Sequence, residues 1–253
     1  MTQPTKFRYS TGVLEPKDAP KFDWEYPIPV IKFWNSFSYV SAKNFLLSFD
    51  KNEVSALNLD TKHCDLSHKE KANLLLDTVK GKITSLDASS KSGNAPYKPL
   101  WETDFPTWQN LMQAAICMYG ELGQLDEEIE AEEQIILRRG DKGIAAQAHG
   151  LAELLAKRGK QDDCEKAEDL EKKGLPWFDE HLGPDSPQAL SVRRVLLAAV
   201  WRQGKYDEAD KLKAELTGLI DGLGKSKYSA YQDEERQLLE GLVKGLESKK
   251  KGN

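Results

Sequence analysis

Gln203-Gly204-Lys205-Tyr206-Asp207-Glu208 reads as a turn between two helices, and the chain carries the same turn twice more. The other copies are Leu122-Gly123-Gln124-Leu125-Asp126-Glu127 and Arg158-Gly159-Lys160-Gln161-Asp162-Asp163. Each follows an apolar helical pattern and opens an acidic one. The glycine suits the left-handed residue that ends the first helix, which a side chain would disfavour. The carboxylates that follow lie at the positive end of the second helix. Ala209 then offers the small side chain needed where two helices approach closely.

Outward from these junctions the chain is lopsided. From Pro106 onward nearly everything is helical, dominated by Ala, Leu, Glu, Lys and Gln, and runs of β-branched residues do not occur. Residues 87–104, from Asp87 through Asn94-Ala95-Pro96 to Asp104, are rich in turn formers and read as a linker. Before it, Ser67-His68-Lys69-Glu70 is a capping box ahead of Leu74, Leu75, Leu76 and Val79. Apolar residues at 30, 33, 34, 37, 40, 45 and 49 predict a helix over Val30–Phe49. Residues 1–49 hold 11 of the 22 aromatics, and the first 29 hold five of the eleven prolines. Proline fixes φ and removes a donor, so residues 1–29 read as an extended arm. Its aromatics would be costly in water, so the arm is expected to lie against the helical body. Phe22, Trp24 and Tyr26 would share one of its faces.

Composition excludes several classes. No run of about 18 apolar residues exists to span a membrane. Lys and Arg number 36 against 41 Asp and Glu, a net charge of −5, which argues against a general nucleic-acid binder. Cys64, Cys117 and Cys164 are odd in number and widely spaced, which suits a reducing compartment better than a disulfide framework. The start lacks the apolar core of a secretory signal, so a cytosolic protein is expected. Lys249-Lys250-Lys251 reads as a solvated basic tail.

Glu165 to Pro187, ending Leu182-Gly183-Pro184-Asp185-Ser186-Pro187, resembles the second helix and exit loop of a kinesin-light-chain-type tetratricopeptide repeat. The resemblance covers roughly residues 108–247. It departs from the family in three places. The second unit carries about three extra residues in its turn, the junction glycines standing 36 and 45 residues apart. Glu128 takes the small-residue slot of the first unit. Gly174 and Pro176 interrupt a helix that the family keeps continuous. The resemblance implies an all-α fold: a short right-handed solenoid over 105–247, with Tyr228–Leu246 as its terminal capping helix. The N-terminal arm (1–29), a helical segment (30–86) and the linker (87–104) precede it, and a tail (248–253) follows.

Catalytic motifs are missing: no Gly-x-Ser-x-Gly, Walker A, His-Glu-x-x-His or Cys-x-x-Cys occurs. His63, Cys64, Asp65 and His68 are ligand-type residues, but their spacing matches no zinc signature, and Asp65 and Ser67 can serve as caps. No metal, cofactor or catalytic residue is therefore assigned. Function is expected on the concave face. Helical register presents Asn110, Gln113, Cys117 and Glu121 from the first unit and His149, Glu153 and Lys157 from the second. From the third come Ser191, Arg194, Val195, Ala198, Trp201 and Arg202. Arg and Trp favour binding, and Arg194, Arg202 and Lys157 favour an acidic or aromatic-acidic protein or peptide segment. The leading expectation is a non-catalytic cytosolic adaptor. The other is a small-molecule binder or cofactor-independent enzyme whose pocket the aromatic arm closes, with His149 beside Glu153 as a general base.

Overall fold

The computed structural model describes residues 6–7, 14–15, 26–89, 97–140 and 145–250. It is all-α apart from two two-residue strands, β1 (Lys6–Phe7) and β2 (Leu14–Glu15), which pair antiparallel. The chain divides into two compact units, Met1–Ile135 and Ile136–Asn253. The helix after Gly123, which the repeat reading groups with the later helices, therefore belongs mostly to the first.

The first unit holds α1 (Tyr39–Leu47), α2 (Lys51–Ala56), α3 (His68–Ser89), α4 (Leu100–Thr103), α5 (Phe105–Leu122) and most of α6 (Leu125–Arg139). Its core forms where α1 and α3 pack on α5, around Phe33, Trp34, Phe45, Leu75, Leu111 and Met118. Each such side chain contributes roughly 1.5–3 kcal/mol by leaving water. The expected helix over Val30–Phe49 is instead a 3₁₀ turn (Lys32–Ser36), a break at Phe37–Ser38, and α1. Two causes combine. The Ser38 hydroxyl caps α1 by accepting from the Ser41 amide at 3.1 Å. Extended backbone at Phe37 lets its ring stack on Phe33 and meet Trp34 edge-on, with centroids 5.7 Å apart in both pairs.

The arm's final residues reach this core: Tyr26 and Ile28 pack against it, and the Tyr26 amide donates to the Tyr39 hydroxyl at 2.6 Å. Phe22 and Trp24 lie outside the described residues. The capping box at Ser67 forms, with Glu70 accepting from the Ser67 amide at 2.8 Å. Asp65 caps nothing; it pairs with Lys32 on the surface. The linker expected over 87–104 is narrower, because α3 continues to Ser89 and α4 occupies Leu100–Thr103. Asp87, inside α3, accepts the Leu100 amide at 2.6 Å and so pins the two ends of this connection together.

The second unit comprises α7 (Ala145–Arg158), α8 (Gln161–Leu182), α9 (Pro187–Arg202), α10 (Tyr206–Gly222) and α11 (Gln232–Lys250). Consecutive helices pack together, α7 also lies against α9, and α11 covers α9 and α10. α11 begins after a short 3₁₀ turn, Ser229–Tyr231, later than the expected Tyr228. The core joins Leu190, Leu197 and Val200 of α9 to Ala209, Leu216 and Ile220 of α10 and Leu239 of α11.

α8 corrects a sequence expectation: it runs unbroken through Gly174 and Pro176. The helix is anchored on both sides of the proline by burial, at Gly174 and at Phe178, so packing offsets the missing donor. A Cβ at Gly174 would meet the Ala145 carbonyl at 4.0 Å, an ordinary van der Waals contact, so the space there does not itself require glycine.

The three junction glycines adopt left-handed backbone, with φ of +70° at Gly123, +74° at Gly159 and +77° at Gly204. Across the second junction Arg158 forks Asp163, with Nε and one terminal nitrogen at 2.7 and 2.8 Å. Nothing lies within 4 Å of a Cβ built on Gly204. Gly204→Ala should therefore cost only the conformational penalty, about 1–2 kcal/mol. Urea denaturation checks this, and an unchanged midpoint would show that the turn tolerates a side chain.

Candidate functional site

α7, α8 and α9 converge on one polar cluster. The mostly apolar inner stripe of α8 runs Cys164, Ala167, Glu171, Gly174, Phe178, and it buries a carboxylate at its centre. Glu171 is 0% exposed. Its Oε1 lies 2.6 Å from His149 Nδ1 on α7, and His149 Nε2 lies 3.2 Å from Ser191 Oγ on α9. The second oxygen, Oε2, is buried without a hydrogen-bond partner. The Phe178 ring closes edge-on against the imidazole at 5.9 Å.

Both members of the pair hold protons more tightly than usual. Burial raises Glu171 despite the histidine beside it. For His149 burial opposes the charge, but the Glu171 carboxylate outweighs it and raises the value. The two therefore compete for one proton in a low-dielectric site.

Other polar groups in this unit are committed to joining helices. Arg193 is only 6% exposed; it forks Asp179 with two bonds of 2.8 Å and reaches Glu215 at 2.7 Å. Arg194 pairs with Glu235 on α11, and Arg202 donates to the Ala156 carbonyl on α7. Burial disfavours the Glu168 charge, yet Lys172, Lys205 and Gln203 at 2.6–2.7 Å bring its carboxyl down to about 2.

These contacts revise the groove read from register. Of its second-unit residues, Glu153 and Lys157 stand exposed on α7, one and two turns from His149. The partner of His149 is Glu171, and not the exposed Glu153. Ser191 is half-buried against His149. Trp201 and Arg202 are half-buried, with Trp201 edge-on to Tyr206 at 5.3 Å. Val195 and Ala198 are buried and so are not presented to a partner. Both, like Arg194, lie on α9, which α11 covers. Glu171 and Arg193 were missed. A carboxylate inside the α8 apolar stripe was the available signal for the first. An arginine among Leu190, Val192, Leu196 and Leu197 was the signal for the second.

Asn110, Gln113 and Cys117 fall in the first unit. Asn110 is exposed, and its carbonyl accepts from the Ser48 hydroxyl at 2.9 Å. Glu121 accepts from the Ser38 amide and the Ser41 hydroxyl at 3.1 and 2.5 Å, and His68 Nε2 lies 3.3 Å from its other oxygen. Cys117 accepts from Asn44 at 3.2 Å, and burial pushes its thiol up to about 12, which makes it a poor nucleophile.

Gln113 donates to Glu132 at 3.1 Å, and burial pushes that carboxyl up to about 7. The raised value means the folded state binds the proton more tightly. Stability from this group is complete below the unfolded value near 4.5 and is lost as pH rises toward 7. Glu132→Gln should therefore leave stability unchanged at pH 4 and raise it by about 2–3 kcal/mol at pH 8. Denaturation curves at the two pH values check this, and parallel curves would refute it.

Among the described residues no group of three or more His, Cys, Asp or Glu could hold a metal ion, and no helix is long and apolar enough to cross a membrane. Compared with protein-family models, curated proteins and solved structures, the chain matches none.

Proposed function

We propose that the protein is a non-catalytic cytosolic adaptor built from tetratricopeptide-like helix pairs, and that it grips a protein or peptide segment on the face shared by α7 and α9. One observation carries this reading. α7 and α9 lie side by side, each joined to its following helix through a left-handed glycine, and α8 packs on both. That is the arrangement by which stacked helix pairs expose a continuous inner face.

On this face Glu153 and Lys157 are exposed, with Trp201 half-buried. Arg194 and Arg202 are engaged within the fold, so an acidic partner would draw mainly on Lys157 and an aromatic one on Trp201. The alternative expectation, a pocket over His149, Glu153, Arg194 and Trp201, needs the aromatic arm to close it; Phe22 and Trp24 lie outside the described residues, and Tyr26 packs against the core of the first unit.

A photo-crosslinking residue placed at 153 or 157 should capture the same partner from native extract. One placed at Lys173, exposed on α8, should not. Equal capture from all three positions would overturn the assignment of this face.

A further inference from the structure

We infer that Ser191, His149 and Glu171 form a nucleophile–base–carboxylate relay through which Ser191 accepts a small acyl group. The three residues come from three helices, so their alignment is a product of packing and no single local turn supplies it. The spacing is that of an activated serine. Ser191 Oγ stands 3.2 Å from His149 Nε2, and His149 Nδ1 stands 2.6 Å from Glu171 Oε1. Glu171 then fixes the tautomer: Nδ1 carries the proton it donates to the carboxylate, which leaves Nε2 as the acceptor facing the serine.

The orphaned carboxylate oxygen separates this arrangement from a simple clasp between helices. Glu171 Oε2 is buried with no partner. A neutral glutamine could bridge to the imidazole without desolvating a charge, whereas a buried carboxylate with one unpaired oxygen is costly. What a carboxylate adds is stabilisation of the imidazolium that forms when His149 takes the serine proton.

In the step itself, Ser191 Oγ attacks the carbonyl carbon of an ester while its proton passes to His149 Nε2. The carbon–oxygen bond to the leaving alcohol breaks, and His149 returns the proton to that oxygen. Water, deprotonated by His149 in turn, then releases the acid and restores the serine. The substrate is small, because the His149 side chain is 17% exposed and Ser191 is half-buried. Arg194, one turn beyond Ser191, acts on His149 through its charge, but its guanidinium is engaged by Glu235 and is not assigned to the developing oxyanion. Ser191 lies within a helix whose amides are bonded internally, so no backbone oxyanion hole assists. Acylation should accordingly be slower by roughly 10²–10³ than where one does.

The test uses the full chain and a small fluorophosphonate, with the modified residue located by mass spectrometry. The inference requires one adduct on Ser191, absent from Ser191→Ala and formed at least about 100-fold more slowly in His149→Gln. The wild-type rate should rise with pH as His149 loses its proton, a readout that stands even if the variants fold poorly. Absence of an adduct on Ser191 would overturn the inference. So would labelling of His149→Gln at the wild-type rate, or a flat profile between about pH 5 and 9. The binding role of the α7–α9 face is decided separately, by crosslinking at 153 and 157; a Ser191 adduct that meets these requirements would remove only the non-catalytic clause of that reading.

Discussion

Ala209→Glu should abolish the cooperative unfolding of the second unit or move it to much milder conditions. Ala209 is 0% exposed, in the core shared by α9, α10 and α11. A methylene group and a carboxylate must enter a space that fits one methyl group. Overpacking costs about 1–3 kcal/mol. An unpaired charge kept from water adds several more or forces the helix outward. Asp207 and Glu208 already crowd the first turn of α10 with negative charge. The sum is comparable to the whole stability of a typical domain, about 5–15 kcal/mol. Far-UV circular dichroism during heating measures it, and a melting profile matching the wild type would mean that Ala209 faces solvent.

Arg193→Ala should destabilise the same unit by about 3 kcal/mol, the lower end for a broken buried pair. The guanidinium links α9 to both neighbours, through Asp179 on α8 and Glu215 on α10. Those carboxylates are 32% and 48% exposed and can regain water, which keeps the loss from being larger. Arg193→Lys should recover only part of it, because an ammonium cannot fork Asp179 with two parallel bonds. Urea denaturation of the single variants and the Arg193/Asp179 double variant measures the coupling. Strict additivity would show that the pair contributes nothing beyond its separate members.

What the sequence disclosed and what it hid follow from the range of the forces involved. Gly123, Gly159 and Gly204 announced their turns because a left-handed residue is a local steric demand that glycine meets best. The Ser67–Glu70 cap was equally local. Residues 30–49 misled because helical spacing and an aromatic cluster can share one apolar pattern, and packing of Phe33, Trp34 and Phe37 decided between them. α8 passing through Pro176 is the same lesson reversed: local chemistry argued for a break, and neighbouring helices overrode it.

Register likewise pointed to His149 and Ser191 but gave no view of Glu171, 22 residues from His149, or of α11 lying over α9. Val195 and Ala198 were assigned to a groove by their place on a helix, while a more distant helix settled their burial.

The bond from the Leu100 amide to Asp87 has a topological consequence. With those two residues held together, the chain between them is a closed loop, and the entropy of closing it grows only with the logarithm of its length. Doubling the loop costs roughly 0.6 kcal/mol. Extra sequence placed between residues 90 and 96 would thus be tolerated almost regardless of size, whereas severing the Asp87 clasp would release the entry to α4 whatever the loop contained. The N-terminal core can be indifferent to what this connection carries so long as the two ends remain fastened.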